Sequence, residues 1–217
     1  MNPPIRTATL PPLPELTRKE RERLDHRQAI LDAALQLFAE RGYDKVAMRD
    51  IAARAGFATG TLYNFFPGKD ALLGELVRWN INEAHDRLAA VLDAPGDEVD
   101  RLKAFLRLKG EICHARQAFV HLYVHVLRDE GLGPVRELVM ERMNSIIAHL
   151  ERLFRAGVAR GRFMNLDPYM MAITVNGISS VYIFQMIHQP GRIDYFAQVD
   201  QIVDLLFSRI TSAKDKP

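Results

Sequence analysis

Cysteine is nearly absent from this 217-residue chain, Cys113 being the sole example. An intrachain disulfide is therefore excluded, as is a zinc site built from several thiolates; the usage suits a reducing compartment, so cytoplasmic residence is expected. Charge of one sign is equally scarce. The 29 Lys and Arg against 27 Asp and Glu leave a formal net of +2, and between Glu15 and Trp79 eleven basic residues meet ten acidic ones. Composition alone thus argues for no acidic partner, and a basic surface has to come from placement. No His-Glu-x-x-His, no phosphate-binding glycine loop and no Gly-x-Ser-x-Gly elbow occurs, so catalysis has no visible machinery and no cofactor is expected. Repeats and credible strands are missing, and the N-terminus carries no long apolar run of the kind a signal peptide needs. With 48% hydrophobic and 26% charged residues, the composition is that of an ordinary globular protein.

Punctuation along the chain predicts helices throughout. Pro3, Pro4, Pro11, Pro12 and Pro14 make residues 1–17 an extended, flexible arm. Thr17 is placed to cap a charged helix whose first turns offer i,i+4 pairs such as Glu22 with His26. Those turns read either as a solvated extension or as an arm whose Arg18, Lys19 and Arg21 reach phosphates or a minor groove. Ile30, Ala33, Ala34, Leu37 and Phe38 recur at helical spacing up to Gly42. Further helices are expected over 70–92, 99–113, 119–128, from Pro134 toward Gly157, from Asp167-Pro168 to about His188, and over 194–210.

The stretch Arg49–Lys69 is the most informative. Ile51 and Ala52 supply the inner face of one short helix, Gly56 permits a left-handed turn, and Leu62 returns to the same core from a second helix. That is the build of a helix-turn-helix. In such a reader the second helix enters the major groove, and only slim side chains at its start approach base edges. Ala58, Thr59, Gly60 and Thr61 meet that need; Asn64 is placed to pair with adenine or touch a phosphate, and Arg49 is a candidate for the DNA backbone.

From about Arg27 to Leu73 the chain resembles the N-terminal domain of the tetracycline-repressor (TetR) family. The resemblance rests on Ile30-Leu-Asp-Ala-Ala-Leu-Gln-Leu-Phe-Ala-Glu-Arg-Gly-Tyr43, Ile51-Ala52, Ala55-Gly56, Gly60-Thr-Leu-Tyr63, Phe66 and Lys69. It implies an all-α fold: a helix-turn-helix DNA-binding domain at 18–68, a helical ligand-binding and dimerisation domain at 69–212, and a tail at 213–217. It also implies phosphate contacts from Tyr63 and Lys69, and a homodimeric regulator, a repressor released from a palindromic operator by a small, largely apolar ligand. Val46-Ala47 and Ala58 depart from the family's usual capping Thr or Ser, and Phe65 stands where a polar phosphate partner is usual.

The second domain offers two apolar surfaces. Residues 169–187 carry no charge and are apolar nearly all round; Thr174, Asn176, Ser179, Ser180 and Gln185 argue against a membrane span, so the helix is expected to be covered on two sides. With the stripe Val199, Ile202, Val203, Leu206 and Ile210, and with Val181, it is expected to form an isologous dimer seam. Phe105, Phe119, Tyr123, His125, Met140, Met143, Met170 and Met171 are candidates to line an adaptable ligand pocket. Glu111, His114, His121 and His125 would share a face if one helix ran from 111 to 125. The competing reading, an all-α metal-dependent enzyme using Glu111 and His114, needs a second Glu-x-x-His pair, and the chain contains none.

Overall fold

A reciprocal cap starts the first helix: the Thr17 hydroxyl accepts from the Glu20 backbone N–H at 3.3 Å, and the Glu20 carboxylate accepts from the Thr17 N–H at 2.8 Å. The computed structural model describes residues 17–117, 119–120, 122–123, 133–189 and 191–207, the side chains of 205–207 excepted. The arm before Thr17, His121, His125, the Leu206 side chain, Ile210 and the tail lie outside the described residues.

Helix α1 (Arg18–Arg41) ends at Gly42, whose φ of 81° an L-residue side chain resists. Its second half buries Ile30, Ala34, Leu37 and Phe38. The expected Glu22–His26 pair does not form. Glu22 pairs with Arg18 at 2.9 Å, and the His26 ring meets Phe57 edge-on, 4.9 Å between centroids. Next come α2 (Met48–Ala55), a left-handed Gly56, α3 (Thr59–Phe65) and the long α4 (Lys69–Asp93). Then follow α5 (Glu98–Ala115), α6 (Gly133–Ala159), α7 (Pro168–His188) and α8 (Tyr195–Phe207). Asp167, ahead of Pro168, caps α7 as its place before the proline predicts, and Asp97 caps α5. Among the described residues every regular element is helical, so the all-α class holds.

Two cores hold these helices. One unites α1, α2 and α3 with the first half of α4 through Ile30, Leu37, Ile51, Leu62, Leu72 and Leu73, and it also takes in Phe119, Leu122 and Val139. The other joins the second half of α4 to α5, α6, α7 and α8 around Phe105, Leu150, Phe154, Val175 and Tyr195. The apolar packing of the head runs past residue 68, the expected partition, into α4.

By length and composition α7 is apolar enough to cross a membrane, with a mean hydropathy of 1.4. In the structure it packs along α6 and against α5 and α8. Met171, Ala172, Val175, Ile183 and Ile187 face inward, while Tyr169, Met170, Ile173, Val181 and Phe184 stay exposed. One of the two covers expected for this helix is its own domain; the other side stands open in the single chain.

The last helix corrects the sequence reading. Val199, Ile202 and Val203 are at most 4% exposed and belong to the chain's own core. A helix with one apolar stripe can bury it once, and here α5 takes it. The contact is close because Gly110 leaves room for the Tyr195 ring, whose hydroxyl donates to the Leu106 carbonyl at 2.8 Å. Of the residues named for a dimer seam, Val181 alone is both described and exposed, at 59%.

Candidate nucleic-acid interface and interior cavity

Helix α3 stands on Leu62 and on Phe66, which caps its end, both buried; α2 crosses close through the buried Ala52. With those residues turned inward, the opposite side presents Ala58, Thr59, Gly60, Tyr63 and Asn64 to solvent, and Thr61 half so. These side chains are short or slender, and no acidic group lies among them. Arg49 is exposed on α2, 3.8 Å from Asp50. The structure thus brings seven of the eight candidate DNA contacts to the outside of the head.

Lys69 is the exception. Its ammonium donates to the Tyr43 carbonyl at 3.0 Å and lies 4.2 Å from the centre of the Tyr43 ring, while the Tyr43 hydroxyl bonds Asp70. The lysine therefore staples the start of α4 to the turn after α1. Phe65, in place of a polar residue, is partly buried against the head core beneath His26.

As the sequence predicts, Ala47 and Ala58 supply no side-chain cap. For α2 the loss is partly offset from within the helix: the Asp50 carboxylate accepts from the Ala47 N–H at 2.9 Å, the second half of a capping box. That signal, an acid three residues after the cap, was available in the sequence.

A cavity of about 410 Å³ opens between α4, α5, α6 and α7, within the range of small-molecule sites. Phe105, Phe119, Tyr123 and Met143 line it as expected. Met140 and Met170 do not; both are exposed on the outer surface. Each sits one residue, about 100° of helical turn, from a neighbour that faces inward: Val139 lines the cavity and Met171 joins the core.

Sequence reasoning missed the polar groups of this wall. Lys109 follows Phe105 by one helical turn and points inward with it; its ammonium donates to Asn176 O at 3.1 Å, Asn176 Oδ1 at 2.8 Å, and the hydroxyls of Ser179 and Ser180 at 2.9 Å each. Burial of the ammonium pulls its pKa down to about 8. The Cys113 thiol one turn on is pushed up by the same burial. Arg116 reaches back to α4, pairing with Glu83 and lying 5.4 Å from the Trp79 ring centre. Arg142 also lines the cavity, with a buried Nε that has no hydrogen-bond partner.

No unbroken helix runs from 111 to 125, the condition for Glu111 and the three histidines to share a face. Helix α5 stops at Ala115, and Arg116 leaves helical geometry at φ −122°, ψ 42°. His114 lies outside the cavity with its ring edge-on to Phe196. Among the described residues no group of three or more His, Cys, Asp or Glu could hold a metal ion.

Comparison with known proteins agrees with this geometry. Residues 30–76 match the profile of bacterial regulatory proteins of the tetR family. At 24% identity the chain aligns over 88% of its length with the HTH-type transcriptional regulator YuxN of Bacillus subtilis and spans 62% of that relative. It is 29% identical to the HTH-type transcriptional repressor KstR2 of Rhodococcus jostii, across 71% of this chain and 74% of the relative. The fold matches the transcriptional regulator FadR of Bacillus subtilis, solved in complex with stearoyl-CoA, with a TM-score of 0.70 at 20% identity, covering 83% of this chain and 97% of that one. The helix-turn-helix head, residues 30–76, is thus that of the tetR family of bacterial regulatory proteins, carried here by a helical body with an interior cavity.

Proposed function

We propose that the chain acts in the cytoplasm as a homodimeric repressor that holds a palindromic operator and lets go when a small, largely apolar ligand enters the cavity. One observation carries the reading. Ile81, Phe119 and Val139 belong to the packed core of the head and also line the cavity. A ligand that displaces any of the three presses directly on the scaffold of α2 and α3, and close-packed interiors transmit such strain rather than absorb it. The stearoyl-CoA bound to FadR supports an acyl chain as the apolar part. Pairing through the open side of α7, around Ile173, Val181 and Phe184, would set the spacing of two heads on successive grooves.

Selection of bound duplexes from a random pool tests this, followed by the pair Tyr63→Phe and Lys69→Met in one chain. The parent should retain a palindrome. The double variant should bind it more weakly, with the salt slope reduced by about one for the lost charge, and with unchanged dimer mass. Because Lys69 also staples the head, a melting curve of the variant separates unfolding from lost contact. A parent that retains no palindromic DNA, or a folded variant that binds as its parent does, overturns the assignment.

A further inference from the structure

Among the described residues the cavity wall carries cationic groups and no acidic ones. Its titratable members among the described residues are His85 on α4, Lys109 and Cys113 on α5, Arg116 after α5, Tyr123, and Arg142 on α6; the polar groups of α7 there are the neutral Asn176 and Ser180, beside apolar Val181, Ile183 and Phe184. Arg116 is neutralised from behind by Glu83. Lys109 and Arg142 form no ion pair among the described residues. Neither Cys113 nor Tyr123 can supply a counter-charge at neutral pH, since burial holds both in their uncharged forms.

An ammonium in an apolar hollow without a counter-ion is costly, and the cost disappears when a ligand brings the missing charge. The corner around Lys109 has the chemistry to receive it. The ammonium is met by four neutral oxygens, one more than its three N–H groups can serve. The Asn176 amide NH₂ donates to nothing among the described residues. The Ser180 hydroxyl, now donating to the Asn176 carbonyl at 2.7 Å, can turn outward. Three donors thus converge at one polar end of a hollow whose other walls are Ile81, Leu88, Phe105, Ile146 and their neighbours.

Resting on the effector reading above, we infer that the ligand is an amphipathic carboxylate whose anionic head seats on Lys109, Asn176 and Ser180 inside the cavity, with its hydrocarbon part along the apolar wall. An arriving carboxylate takes the ammonium away from the carbonyl and hydroxyls of α7. The bridge from α5 to α7 is remade through the ligand, and the same event that recognises the head group shifts the wall.

The test uses the full chain and its only tryptophan. Trp79 is half-exposed and stacked by Arg116, so its fluorescence reports on the cavity wall without a label. Decanoate, methyl decanoate and decanoyl-CoA are titrated into the parent and into Lys109→Met, which keeps the length of the side chain but not the charge. Decanoate should bind the parent at least about tenfold more tightly than its methyl ester, the scale of one charge-assisted hydrogen bond. Lys109→Met should erase that preference and still bind the ester, which shows that the cavity is intact. Decanoate affinity in the parent should also fall as pH rises beyond the Lys109 pKa of about 8, while the ester stays level.

Equal binding of acid and ester by the parent, or a preference that survives in Lys109→Met, overturns the inference. If decanoyl-CoA or the ester shifts Trp79 and decanoate does not, the cavity is a ligand site and the carboxylate inference fails alone. If none of the three ligands perturbs the protein, the effector reading falls with it.

Discussion

Gly177 lies on the open side of α7, in line with Ile173, Val181 and Phe184, and in the single chain a Cβ added there would meet nothing within 4 Å. For an isolated chain, Gly177→Ala should therefore stabilise. A glycine inside a helix is less favourable than alanine by about 1 kcal/mol, and for a protein of this size that raises the melting temperature by about 2–4 °C. If a second copy packs its own α7 on this face, the sign reverses. Two-fold symmetry brings two new methyl groups into one seam, and overfilling a packed contact costs about 1–3 kcal/mol each. At about 1.4 kcal/mol for each factor of ten, the dimer constant should weaken by at least tenfold. Sedimentation equilibrium gives that constant, and melts at two concentrations about a hundredfold apart show whether the transition follows mass action. We expect the weakened dimer. A variant that melts higher at both concentrations and associates like its parent would refute the placing of the seam on this side of α7.

Two further outcomes follow from positions already described. At Gly110 a Cβ would overlap the Tyr195 ring, with a second ring carbon at 2.7 Å, and that ring is fully buried and hydrogen-bonded to Leu106; Gly110→Ala should cost about 2–4 kcal/mol by denaturant unfolding, and a loss below about 0.5 kcal/mol would show that α8 is loosely seated. Lys109 has a folded pKa of about 8 against an ordinary 10.5, so below pH 8 both folded and unfolded chains are charged and the full cost of burial is present. Between those values the folded state sheds its proton first, and stability rises with pH by up to about 3 kcal/mol; parallel pH profiles of parent and Lys109→Met would contradict that assignment.

Local rules of the backbone made the fold legible. Gly56 adopts the left-handed turn its position implied, Gly42 ends α1 at a positive φ, and Asp167 caps the helix it precedes. Helix-turn-helix register placed Leu62 and Phe66 inside and Thr59, Tyr63 and Asn64 outside, because in so small a head only one side of α3 can be covered. What failed was the choice between partners. The stripe Val199–Ile202–Val203 announces that α8 needs an apolar neighbour and does not say in which chain. Met140 and Met170 failed for angular reasons, each one residue out of phase with the inward face. Lys109 went unread because a lysine is ordinarily solvated; only its phase with Phe105 and Leu102 marked it as internal.

The head draws Leu72, Leu73, Leu76, Val77 and Ile81 from α4, and Phe119, Leu122 and Val139 from further along, into one packed unit. Exchanging DNA-reading modules between relatives by cutting at the Pro67-Gly68 turn would therefore expose eight apolar side chains on the recipient and deprive the donor of their partners. A viable chimera has to carry the opening turns of α4 with the module and match the patch that α6 and the segment near 120 press against it. Head and body in this protein thus form a fitted pair, and new pairings require both surfaces to be recut together.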